Sequence, residues 1–158
     1  MSHRSLFFAL LFLLPSAVTL RPLLAADTKA PASKSEQLAS YDKKMTSYQE
    51  DLNDIGRDLA GLDQEIAIAL IGRAGRTSLQ ITNIQDLLLI DSQVHDEADK
   101  RAIKAVASAR LKAVANNIDF SIRDVNHDLT YLKNPAVVTT ANKFKDDLRG
   151  LKELLLTF

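Results

Sequence analysis

The chain has 158 residues, 20 Lys+Arg against 20 Asp+Glu, and no cysteine. Balanced charge leaves no basic stripe for nucleic acid, and the lack of cysteine excludes a disulfide framework, a thiolate nucleophile and covalent haem attachment. The length suits one domain with a core of its own, burying about two-thirds of its unfolded surface.

The first 26 residues read as a secretory signal peptide. Met1-Ser-His-Arg4 is a short basic start, LFFALLFLL at 6–14 is the apolar middle, and Ala25-Ala26 offers small residues for the cut before Asp27. The apolar run falls short of the ~20 residues of an ordinary spanning helix. The rival reading is an uncleaved anchor over residues 6–24, which Arg21 opposes. Cleavage removes Arg4 and Arg21 and no acidic residue, so the remainder stays near neutral. An exported chain without disulfides points to a bacterial periplasm or a secreted protein held together by packing. Residues 27–33, DTKAPAS, are expected to form a flexible linker. Residues 34–158 form the helical domain.

The first helix is expected over 34–72. Ser33-x-x-Glu36 has capping-box spacing. Leu38, Tyr41, Met45, Tyr48, Leu52, Ile55, Leu59, Leu62, Ile66 and Ala69 follow in alternating steps of three and four. That 3.5-residue period is the coiled-coil signature, keeping one stripe against a partner helix. Leu38 to Ile66 therefore reads as an interaction seam on a helix about 55 Å long. Gly56 and Gly61 weaken it, and Gly72 or Gly75 is expected to end it, with Arg73 and Arg76 in the turn.

Thr77-x-x-Gln80 repeats the capping-box spacing and opens a second helix over 78–94. Ile81, Ile84 and Leu88 lie on one face, and Leu87, Ile90 and Val94 on another. Apolar residues on two sides predict burial on two sides. The stripe lapses over 91–96, where Ser92 or Asp96 is able to cap a new start. A third helix follows over 97–133, with Ile103, Ala107, Leu111, Val114, Ile118, Ile122, Val125, Leu129 and Leu132 as its stripe. Ala98, Ala102, Ala105, Ala109 and Ala113 lie beside it and suit a close helix neighbour. Asn134-Pro135 is a cap followed by proline at the first helical position. The last helix, 135–157, presents Val137, Ala141, Phe144, Leu148, Leu151, Leu155 and Phe158.

The fold expected is all-α: an elongated antiparallel four-helix bundle, or coiled-coil-like hairpins, with two long and two shorter helices. The runner-up is a long hairpin that dimerises.

Chemistry has few candidates. VHDEADKR at 94–101 and IGRAGRTS at 71–78 resemble the acidic box and arginine motif of RNA helicases. A helicase also needs a phosphate loop ending in Gly-Lys, and none of the five glycines precedes a lysine. The order of the two motifs is reversed as well. His95 with Asp99, and His127 with Asp124, make a weak metal-site candidate if the two clusters meet. Met45 as a haem ligand competes with its place on the seam. No nucleophile elbow occurs. The chain is therefore expected to be no enzyme and to carry no cofactor. It is expected to act through helix–helix contact with a protein partner or itself, as a scaffold, adaptor or chaperone-like binder. The alternative is a metal- or ligand-binding bundle. Nucleic acid is not expected as a partner, nor is membrane contact unless residues 1–26 are retained.

Overall fold

The computed structural model describes residues 32–158. The expected signal peptide and most of the expected linker fall within residues 1–31 and lie outside the described residues. The domain is an all-α, antiparallel four-helix bundle: α1 (Lys34–Gly56), α2 (Leu62–Gln93), α3 (Glu97–Leu129) and α4 (Pro135–Leu155). Each helix packs on its neighbours in the order α1, α2, α3, α4 and back to α1, with only slight diagonal contact between α2 and α4.

Three of the four starts follow the sequence chemistry. The Ser33 hydroxyl accepts from the Glu36 amide, and the Glu36 carboxylate accepts from the Ser33 amide at 2.7 Å. The Ser33 amide and hydroxyl together hold the Glu36 carboxyl below its ordinary range. Asp96 accepts from the Ala98 and Asp99 amides to start α3, and Asn134 accepts from those of Ala136 and Val137 ahead of α4. Each such cap is worth about 1 kcal/mol.

The first helix is not continuous to residue 72. It ends at Gly56, the chain reverses over 57–61, and α2 begins at Leu62. Gly61 makes the reversal possible: φ 62° and ψ −139° lie where a side chain is strongly disfavoured. Gly72 and Gly75 are interior to α2, and Gly75 faces the Gln49 side chain of α1. Thr77 caps nothing. It is buried in mid-helix, its hydroxyl donating to the Arg73 carbonyl one turn back. The long helices are therefore α2 and α3. The third helix stops at Leu129 rather than Lys133 because Asn134 must be extended ahead of Pro135, leaving 130–133 for the turn.

The seam closes inside the chain. Leu38, Met45 and Leu52 on α1 are fully buried against a core that includes Leu70 and Ile81 of α2 and Phe144, Leu148 and Leu151 of α4. Tyr48 and Ile66 are also buried, Tyr41, Ile55 and Leu59 pack partly against the core, and Leu62 is half exposed. A fully buried Leu, Ile or Phe contributes about 1.5–3 kcal/mol, so this core holds the bundle. Gly150 lets α4 approach α1 closely, since a Cβ there would collide with the Tyr41 hydroxyl.

Two glycines of the reversal should respond oppositely to alanine. Gly61→Ala forces a side chain into the disfavoured region and is expected to cost roughly 1–3 kcal/mol. Gly56→Ala meets no atom within 4 Å and is expected to be neutral or to stabilise by up to about 1 kcal/mol. Urea denaturation followed by circular dichroism at 222 nm checks both.

Candidate functional site

The two histidine clusters do not meet. His95 sits in the turn between α2 and α3, whereas His127 lies in the last turn of α3. A helix of that span sets them about 48 Å apart. Asp99 is exposed beside the first, and its amide is bonded to the Asp96 cap. Asp124 lies beside the second, 3.8 Å from Arg73 Nε. The His127 ring meets Tyr131 edge-on at 5.1 Å. Among the described residues, no three His, Cys, Asp or Glu side chains gather as a metal site. His95, Asp99, Asp124 and His127 thus form two separate exposed groups, and the two-histidine site has no geometry to support it.

Arg73 is not a loop cation. It lies on α2 with its side chain only 12% exposed, paired with Asp128 of α3, itself 16% exposed. Removing one partner of such a pair strands the other and costs about 3–5 kcal/mol. The pair therefore ties α2 to α3. A second tie joins α1 to α4: Tyr48 Oη donates to Asp147 Oδ2 at 2.6 Å, and Lys44 Nζ meets Asp147 Oδ1 at 2.6 Å. Burial first, then the bond to the Asp147 carboxylate, push the Tyr48 phenol well above its ordinary value of 10. Both arrangements join neighbouring helices.

The feature left without a structural role is the far end of α2 and α3. Asp42 of α1 bonds Ser78 of α2, so antiparallel register sets the start of α1 opposite about residue 86. At that same end Lys34 donates to the Thr157 carbonyl beyond α4. Past it, α2 and α3 continue as a two-helix arm. No residue between Ile84 and Leu111 is buried. Leu89, Ile90 and Val106 are 56%, 46% and 56% exposed. The second apolar face of α2 is therefore uncovered: Leu87 and Ile90 line a shallow groove with Asn83, Asp86, Val106 and Arg110. The alanine stripe, Ala98, Ala102, Ala105, Ala109 and Ala113, also faces outward, and no helix of the bundle covers it.

Of the predicted site residues, the seam from Leu38 to Ile66 packs wholly or partly on the chain's own core except at Leu62, which is half exposed. The arm was missed as a surface, although its signal, the doubled apolar face at Leu87, Ile90 and Val94, is visible in the sequence. Among the described residues no helix is long and apolar enough to cross a membrane.

The Tyr48 contact makes stability depend on pH in the alkaline range. Above pH 10 the unfolded phenol loses its proton while the folded one keeps it, so stability falls as pH rises. Tyr48→Phe is expected to cost about 1 kcal/mol at pH 8. The gap between the two proteins is expected to narrow above pH 10, as read from urea midpoints.

Comparison with protein-family models, with curated proteins and with solved structures finds no match for this chain.

Proposed function

We propose that this chain is an exported, non-catalytic helical protein of the bacterial periplasm or the secreted fraction that acts by helix–helix contact, as a scaffold, adaptor or chaperone-like binder. The reading rests on one observation. The α2–α3 arm runs past its two companion helices and leaves Leu89, Ile90 and Val106 in water. A bundle of this size had no need to expose them, because shortening both helices by about two turns would leave every buried residue in place. Apolar side chains clustered on one projecting hairpin mark an interaction surface more often than isolated ones do. Export is supported by the basic start, the apolar run at 6–14 and the small residues before Asp27.

A photoreactive amino acid in place of Val106, in cells expressing the full chain, tests this reading. A discrete covalent adduct is expected in the exported fraction from this position. The same substitution at Glu50, exposed on the body of α1, is expected to give none. No adduct at Val106, identical adducts at both sites, or a chain retained in the cytoplasm would contradict the proposal.

A further inference from the structure

The arm divides by charge as well as by exposure. From Thr77 to Asp99 the chain carries acids and no lysine or arginine; from Lys100 to Asn117 it carries Lys100, Arg101, Lys104, Arg110 and Lys112 and no acid. In the arm α2 is thus acidic, with Asp86 and Asp91, and α3 is basic beyond its acidic first turn at Glu97 and Asp99. These charges do not neutralise one another across the arm. Among the described residues, Asp86, Asp91, Lys104, Arg110 and Lys112 join none of the ion pairs. Asp91 Oδ1 is shielded from solvent and has no hydrogen-bond partner.

We propose that the occupant of this surface is a second copy of the chain. The inference rests on the arm being an interaction surface and names its partner. A hairpin with one acidic and one basic helix is complementary to itself under a two-fold rotation, the commonest symmetry of protein pairs. Two arrangements bring the grooved faces together. With the arms pointing in opposite directions, α2 lies on the partner's α2, acid against acid, and α3 on its α3, base against base. With the arms side by side and pointing the same way, each α2 lies on the partner's α3. The charges select the second. Residues at one height then face each other across the dyad. Asp86 and Arg110 line one end of the groove and Ile90 and Val106 continue it, so Asp86 meets the arginine, and Ile90 the valine, of the other copy. Each helix gains an antiparallel neighbour, and the two hairpins complete a four-helix bundle of their own.

The arm is short, so the pairing is modest. About three turns of two helices present on the order of 500 Å² per copy, at the lower edge of specific interfaces. Reversible association at roughly micromolar to hundred-micromolar concentration is expected.

The test uses the chain from Asp27 onward, since residues 31–158 form one compact unit. Light scattering over a hundredfold range of concentration is expected to show a monomer that doubles in mass. Asp86→Lys and Arg110→Asp change exposed side chains and should leave helicity unaltered. Each alone places like charges across the dyad and is expected to stay monomeric. Mixed in equal amounts they restore two attractive pairs, and the doubled mass is expected to return. A wild-type monomer at every concentration would overturn self-pairing, as would variants that dimerise like the wild type or a mixture that stays monomeric. A monomer that still gives a Val106 adduct with a different protein would overturn self-pairing alone. A monomer with no adduct would overturn both readings.

Discussion

The core of this domain is set by where the chain turns at 57–61. That reversal folds one periodic stretch back on itself. Leu38, Met45 and Leu52 then face Leu70 and Ile81 within one molecule rather than across two. The turn depends on a single backbone conformation, at Gly61, that other residues avoid. Once α1 and α2 are antiparallel, α4 closes the bundle with the most strongly one-sided helix. Val137, Ala141, Phe144, Leu148 and Leu151 are all fully buried. The two polar ties, Arg73 with Asp128 and Tyr48 with Asp147, fix pairs of helices that the apolar core alone would let slide.

The position of the turn also creates the arm. A first helix of 23 residues and a last one of 21 cannot cover a second and third of 32 and 33. The surplus projects beyond the core with apolar side chains that no other helix reaches. None of its side chains is fully buried, so its retention asks for another use. Acids on α2, and bases on α3 beyond its first turn, give that surplus a polarity, and polarity is what separates a recognition surface from a merely greasy one.

Much of the fold was legible. Ser33 with Glu36, Asp96, and Asn134 before Pro135 all act as their chemistry requires, and the 4–3 spacing of α4 names its buried face. Glycine was ambiguous because it serves two purposes. At Gly61 it supplies a backbone conformation, whereas at Gly75 it makes room for Gln49. Spacing alone does not tell these apart. The seam concealed the turn because Leu59, inside it, still packs partly on the core that Ile55 and Ile66 share. An apolar period records which residues seek cover, not whether one helix or two carries them. The same holds for Leu87, Ile90 and Val94. Their face demanded a neighbour, but the sequence did not say whether that neighbour belonged to the chain. Arg73 and Asp128 gave no local sign of each other, being 55 residues apart. The candidate metal residues shared composition but not location, since His95 and Asp99 lie at one end of α3 and Asp124 and His127 at the other.

Closure of the seam within one molecule is what the rest of the structure depends on. Because the chain has no cysteine, it can be tested with a pair placed at Asp42→Cys and Ser78→Cys, positions in direct hydrogen-bond contact across α1 and α2. Oxidised in dilute solution, the double variant is predicted to form one bridge inside the chain. It should migrate as a monomer without reductant, with native helicity. Bridges only between chains, or none, would mean that α1 continues past residue 56, leaving the seam to a partner and contradicting the account.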